Sequence, residues 1–279
     1  MYYHSDRRDR LTEIFADTKN QYETQQSLIA ACKYSTSHQS YIGENDVIPS
    51  ADAMKAKYND NAQVIISQKR TFEAASAYAS KGIITCVHNF ASSMNPGGGV
   101  KHGSSAQEEC LCRCSTLYYS LNSRQSWDKF YTPHRQGNLS GLHNDDIIYT
   151  PSVKVFKSDI DFPEILSEDK WYNVNVITCA APDLNSCRED GQNVSPAELS
   201  AVHQRRLRRI LDTALINGNE AVILGAFGCG AFGNPPQLAA TAAKSVIADY
   251  LHAFRFIEFA VYCTPKHIEN YEIFKKVLG

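Results

Sequence analysis

The chain lacks any apolar run approaching the ~18 residues that a membrane-spanning helix needs, and its first residues, MYYHSDRRDR, contain no signal-peptide core. A soluble intracellular protein is therefore expected, in the cytoplasm, with the nucleus open if the source is eukaryotic. A Pro/Ser-rich linker and low-complexity segments are absent too, so the 279 residues read as a single compact domain. Within it, residues 1–62 read as an N-terminal helical extension packed on a core of residues 63–279. Net charge is small: a formal −2 provides no bulk basicity for gripping a polyanion, and DNA is not an expected partner. Any polyphosphate ligand must be held by local geometry. There is no C-x-x-C pair, and nine cysteines are an odd number, which argues for reduced thiols rather than a disulfide framework. Cys110, Cys112 and Cys114 would point to different faces of a helix, and no nearby histidine completes a zinc set, so neither metal nor cofactor is expected. At 43% hydrophobic and 21% charged residues the chain can build a sizeable core.

What is present is organised around His88–Tyr119, HNFASSMNPGGGVKHGSSAQEECLCRCSTLYY. It follows the apolar run Gly82–Val87, which reads as a buried parallel strand, so the glycines lie at a strand's carboxyl end, where open α/β sheets bind ligands. Gly97, Gly98 and Gly99 have no Cβ to hold a diphosphate or sugar at a distance, and their N–H groups can meet it directly. Gln107, Glu108 and Glu109 follow near an expected helix start, which places a carboxylate beside the ligand.

In order, Arg8–Gln26 has the apolar spacing of a helix and Ser40–Ala62 is turn-rich. A strand at Gln63–Ser67, a helix at Thr71–Ser80 and the strand before the glycines make a βαβ step and predict a parallel sheet. Glu108–Ser120 reads as a helix, Trp127–Asp146 as an aromatic polar loop, and Ile147–Tyr149 with Val153–Phe156 as two short strands divided by Pro151. Tyr172–Thr178 is a strand leading into a second loop at the same edge. Ser195-Pro196 opens an amphipathic helix whose Arg205, Arg206, Arg208 and Arg209 read as a solvated face. The strand Ala221–Leu224 feeds Gly225–Asn234, after which Pro235-Pro236 open a helix through Leu251, an arrangement that aims free N–H groups at an anion. A strand at Ile257–Cys263 and a helix at Ile268–Leu278 close the chain. Gly228, Gly230 and Gly233 fit G-x-G-x-x-G, but Asp249 falls inside a helix rather than at a strand end, which disfavours a nicotinamide cofactor.

Two glycine loops at strand ends, one bearing adjacent carboxylates, suggest a ligand with a diphosphate and a reactive ribose. The triple glycine followed after seven residues by QEE, within NFAS..NPGGG...G..AQEE..C..S.LY, and the later GAFGCGAFGN resemble the bacterial-type poly(ADP-ribose) glycohydrolases of the macrodomain superfamily. The resemblance extends from about Gln63 to the carboxyl terminus. It implies an α/β fold, a three-layer α/β/α macrodomain with a mixed, mostly parallel central sheet. It also implies poly(ADP-ribose) or ADP-ribosylated protein as substrate, ADP-ribose as product, and a monomer. Carried over by motif, Glu109 matches the catalytic acid and Glu108 the residue that positions the terminal ribose. Gly97, Gly98, Gly99 and Val100 match the loop facing that ribose. Gly228, Cys229, Gly230, Ala231, Phe232 and Asn234 match the opposite loop, with Phe232 against the ribose. Asn89, Phe90, Ser92 and Gln107 match the remaining substrate-binding positions.

Cleaving a ribose–ribose O-glycosidic bond needs a proton for the departing hydroxyl and stabilisation of an oxocarbenium-like transition state. Adjacent glutamates point in different directions and cannot flank the bond as the usual glycosidase pair does, so one acid, Glu109, is assigned. The alternatives are an enzyme removing single ADP-ribose units and a macrodomain that binds ADP-ribose without cleaving it.

Overall fold

Three helices and a short strand precede the first strand of the expected core. The computed structural model describes residues 2–48, 51–137 and 139–279; Met1 lies outside them, as do Pro49 and Ser50 of the turn-rich stretch and Asn138 of the predicted aromatic loop. The order begins α1 (Tyr2–Thr24), α2 (Gln26–Ser37), β1 (Ser40–Ile42), α3 (Ala51–Met54), β2 (Gln63–Ser67), α4 (Thr71–Ala79) and β3 (Thr85–Ala91). It continues α5 (Gln107–Cys114), α6 (Leu117–Leu121), α7 (Arg124–Ser126), α8 (Thr132–Gln136), β4 (Ile147–Val155) and β5 (Tyr172–Ala180). It ends α9 (Leu184–Glu189), α10 (Pro196–Ile216), β6 (Ala221–Leu224), α11 (Pro236–Ile247), β7 (Phe256–Ala260) and α12 (Glu269–Leu278).

The seven strands form one mixed sheet in the order β1-β4-β5-β3-β6-β7-β2. The run β5-β3-β6-β7-β2 is parallel, and β4 is antiparallel to both β5 and β1. Side chains alternate along each strand, and the two faces bury separate cores. Cys86, Ile177, Cys179, Val222 and Leu224 pack with Ile210 and Leu211 of α10, Ala239 and Ala240 of α11 and Phe274 of α12. Val87, Val174, Val176, Ala221 and Ile223 pack with Phe72 of α4, Leu111 of α5, Leu117 of α6 and Phe15 of α1. The result is the expected three-layer α/β/α arrangement. The chain leaves neighbouring β3 toward one face and β6 toward the other, which opens a crevice between their carboxyl ends.

Several boundaries differ from the sequence reading. A second helix follows α1, and β1, inside the turn-rich stretch, joins the sheet edge. The predicted βαβ strands β2 and β3 are parallel but not neighbours, because β7 and β6 come between them. β3 starts later than predicted and continues through His88–Ala91, so Asn89 and Phe90 belong to the strand. The predicted helix Glu108–Ser120 breaks at Ser115, which bridges to Val155. Residues 124–136 are helical rather than loop, capped by Ser123 Oγ accepting the Ser126 N–H and continuing through a π-turn at Trp127–Tyr131. β4 is one strand with a register shift around Pro151, which has no N–H to give the ladder; Ser152, at φ +53°, donates its N–H to Asn175 instead. α11 ends at Ile247, and β7 ends at Ala260.

The arginines of α10 are only in part a solvated face. Arg206 is 1% exposed; its Nε donates to Asp145 Oδ1 at 2.7 Å, and its other nitrogens donate to Ala180 O and Leu142 O. Arg205 also pairs with Asp145, and Arg209 donates to Asp46 O and Gly43 O. Arg205, whose side chain is 52% exposed, and Arg208, 3.6 Å from Asp249, keep the expected surface position. Burial pushes the Asp145 carboxyl up, but the two guanidiniums outweigh it and hold it below the usual carboxylate range. Asp145→Ala leaves Arg206 buried without its counter-charge and is expected to destabilise the fold by about 3–5 kcal/mol. Denaturant titration of the variant checks this, and a loss below about 1 kcal/mol would show that the cluster contributes little.

Candidate active site

Past Val87, β3 has no partner strand on its β6 side. The Gln107 amide takes that place: Oε1 accepts the Phe90 N–H at 2.8 Å, and Nε2 donates to His88 O at 2.7 Å and to Thr71 Oγ1 at 3.1 Å. A side chain thus completes the strand ladder and pins the first turn of α5 to the end of β3. Glutamates in that turn also complement the helix dipole.

Glu108 and Glu109 diverge. Glu108, 3% exposed, turns toward β3, where its oxygens accept from Asn89 Nδ2 at 3.2 Å and from the Ser92 N–H at 2.8 Å. Burial, aided by the neighbouring Glu109 charge, pushes its pKa up to about 8 against the opposing hydrogen bonds. Glu109, 7% exposed, turns toward the glycines; Oε1 accepts the Gly99 N–H at 2.9 Å, and Oε2 has no protein partner.

A carboxyl whose folded pKa lies above its unfolded value holds extra protons between the two, so its contribution to stability falls as pH rises from about 4.5 to about 8. Glu108→Gln removes that ionisation. Its stability should decline less between pH 5 and pH 8 than that of the unsubstituted protein, by on the order of 1–2 kcal/mol. Thermal melts across that range check it, and parallel curves for the two proteins would contradict it.

The middle glycine of the three is required by the glutamates themselves, and its neighbours by the packing around the loop. A Cβ on Gly98, at φ +55°, would lie 2.5 Å from Glu109 Oε1 and 3.3 Å from Glu108 Oε2. A Cβ on Gly97, at φ +67°, would meet the Tyr118 ring at 2.8 Å. The loop after β6 is closed from beneath by Asn234, 2% exposed, whose Nδ2 donates to Pro182 O at 2.7 Å and Gly228 O at 3.0 Å while Oδ1 meets His203 Nε2 at 3.0 Å. Asn185 Nδ2 holds Ala231 O at 2.6 Å, and the Leu184 N–H holds Phe232 O at 3.0 Å. Gly230 is different: a Cβ there would find only open space.

Between the loops lies a cleft of about 360 Å³, within the scale of small-molecule sites. Phe90, Ser92, Gly98, Gln107, Glu108 and Glu109 form one wall, and Gly228, Gly230, Ala231 and Phe232 the other. The remaining predicted residues stand behind these walls. Asn89 supports Glu108, Gly99 donates to Glu109, Gly97 and Val100 are buried under the loop, Cys229 turns its thiol to Phe227 O at 3.6 Å, and Asn234 is the staple just described.

The far end of the cleft was not foreseen from sequence. Arg70 lies 3.8 Å over the Tyr262 ring, and Asp159 caps α4 by accepting the Phe72 N–H at 2.9 Å while its other oxygen has no protein partner. Burial holds the Asp159 carboxyl above the usual range. Three separated segments supply this end, and no motif joins them. His143 lies between Ser93 and Phe232, its ring 3.3 Å from Ser93 Oγ and 6.4 Å from the Phe232 ring centre. Of the three cysteines on α5, Cys112 and Cys114 are buried in the core, and Cys110 lines the cleft beside the guanidiniums of Arg70 and Arg113. Among the described residues no helix is long and apolar enough to cross a membrane.

Comparison with known proteins gives a concordant family and fold. The model of the microbial-type PARG catalytic domain matches residues 11–158. The poly(ADP-ribose) glycohydrolase from Thermomonospora curvata, bound to the inhibitor ADP-HPD, is similar with a TM-score of 0.82 and 26% identity, over 96% of this chain and 99% of that one. The enzyme from Deinococcus radiodurans, in complex with ADP-ribose, is similar with a TM-score of 0.77 and 30% identity, over 88% of this chain and 96% of that one. No curated protein matches the chain by sequence.

Proposed function

Because the chain belongs to the microbial-type poly(ADP-ribose) glycohydrolase family, we propose that its cleft holds the terminal ADP-ribosyl unit of the polymer and that Glu109 is the acid that detaches it. The observation that carries this reading is the Glu109 carboxyl. One oxygen is oriented by the Gly99 N–H, and the other stands without a protein partner at the cleft wall. Substrate filling the cleft expels water, so the proton for the leaving group comes from the carboxyl. Glu109 gives that proton to the departing hydroxyl oxygen as the bond to the anomeric carbon breaks. It then takes a proton from the water that attacks this carbon, so that one water is consumed and ADP-ribose is released. Glu108 accepts hydrogen bonds from the ribose hydroxyls and fixes the sugar for attack.

The N–H groups of the two glycine loops face the diphosphate, and Phe232 packs against the reactive ribose. The fold is that of a macrodomain, and the protein acts as a monomer on polymer carried by protein. Residues 1–62 are an extension packed on the core of residues 63–279, a reading supported by the pairing of β1 with β4 and by the contact of Gly103 with the Arg8 backbone. Incubation with purified poly(ADP-ribose), followed by chromatography of the products, tests the reading: free ADP-ribose is expected. Tight binding of ADP-ribose with no release from polymer would make the protein a reader instead.

A further inference from the structure

The arginines of α10 are engaged by Asp145 and by backbone carbonyls, which leaves open how a nearly neutral protein holds the rest of a polyanionic substrate. Two other arginines contact residues next to the cleft walls, one near Ser92 and the other near Phe232. Arg135 of α8 donates through Nε to Met94 O at 2.8 Å and through a terminal nitrogen to Asn95 Oδ1, with its guanidinium 4.7 Å over the Trp127 ring. Arg188 of α9 donates to Asn185 Oδ1 at 2.9 Å and lies beside Gly233, the neighbour of Phe232. Both are exposed, and among the described residues neither has a carboxylate within salt-bridge distance. Asp183, at the start of α9, is engaged in capping that helix. Each guanidinium is therefore oriented by neutral oxygens and keeps its full charge.

We propose that Arg135 and Arg188 form a binding site for the diphosphate of the ADP-ribosyl unit on the leaving side of the scissile bond. The inference rests on the proposed function. With one unit in the cleft and its reactive ribose at Glu109, the rest of the chain must leave past Ser92 and Phe232. The first charges it then carries are those of the next diphosphate. A planar guanidinium matches phosphate oxygens through two parallel N–H donors, and its free charge is complementary to the dianion. Because the contacts lie beyond the bond being cut, they affect polymer and not free ADP-ribose.

The test is the double variant Arg135→Gln/Arg188→Gln in the full chain, with the corresponding lysine variant as a charge-retaining control. ADP-ribose affinity is read by calorimetry, and kcat/KM on polymer of defined length is read at low and physiological salt. ADP-ribose affinity should stay within about twofold of the original. Polymer kcat/KM at low salt should fall about five- to tenfold, with a salt slope flatter by roughly one to two units, as expected for losing two phosphate contacts. The lysine variant should keep most of that slope. An equal fall in ADP-ribose affinity would mean that the arginines only brace the loops, and an unchanged polymer slope would mean that they do not meet the polymer; either overturns the proposal. Failure of the unsubstituted protein to release ADP-ribose would instead count against the hydrolase reading, and retention of polymer on a filter would then report the arginines' contribution.

Discussion

Glu109→Gln lowers the rate of ADP-ribose release from polymer by on the order of a thousandfold or more, while ADP-ribose affinity stays within about threefold. The amide has the carboxyl's size, and its oxygen can still accept the Gly99 N–H, so the loop has no reason to move. Its NH2 replaces Oε2, the atom without a protein partner, so no contact within the protein is lost there. What disappears is the proton that the departing oxygen requires and the base that activates water. The loss therefore falls on kcat, since the interaction is made only in the transition state. Single-turnover kinetics with calorimetry on the same preparation separate the two quantities. Release at near the original rate would remove Glu109 from its assigned role and direct attention to Glu108.

Gly98→Val should abolish measurable turnover as well, but together with binding. Its Cβ would begin 2.5 Å from Glu109 Oε1, and its φ of +55° is one that a β-branched residue strongly resists. The loop must retreat, the Gly99 N–H must leave the carboxylate, and the wall facing the ribose shifts with it. A loss of ADP-ribose affinity of about a hundredfold is expected, with stability reduced by a few kcal/mol. Gly230→Val is the informative contrast. It meets open space in the protein, so its melting temperature should stay close to the original, and any loss of affinity would come from the ligand alone. Equal binding by Gly98→Val and the unsubstituted protein, in a folded sample, would refute the close packing of loop and carboxylate.

The regular elements were legible where side-chain chemistry acts locally. β2 and β6 run over the predicted residues because three or four consecutive apolar residues flanked by turns leave little choice at that length. α10 begins where Ser195-Pro196 placed it, with Ser195 Oγ accepting the Glu198 N–H at 3.2 Å. Residues 124–136 were not legible, because their polar side chains conceal a helix held by a serine cap and by burying Phe130 and Tyr131. The same limit applied to Arg205, Arg206 and Arg209. Their charge in an amphipathic repeat reads as solvent exposure, and only Asp145, distant in the chain, makes burial of the Arg206 cation tolerable.

The sequence by itself determined that two glycine loops follow the carboxyl ends of two parallel strands and that a pair of glutamates opens the helix after the first. Strand length, cap chemistry and backbone freedom are properties of neighbouring residues. Tertiary structure alone decided what each glutamate faces. Adjacent residues on a helix turn point about 100° apart, and which direction meets Asn89 and which meets Gly99 depends on where β3 and the loop lie in space. It also decided that Gln107 completes a strand ladder, that Asn234 staples its loop from beneath, and that Arg70, Asp159 and Tyr262 close the far end of the cleft. Each of those contacts joins segments distant in the chain, and no local periodicity encodes a distance across the sheet.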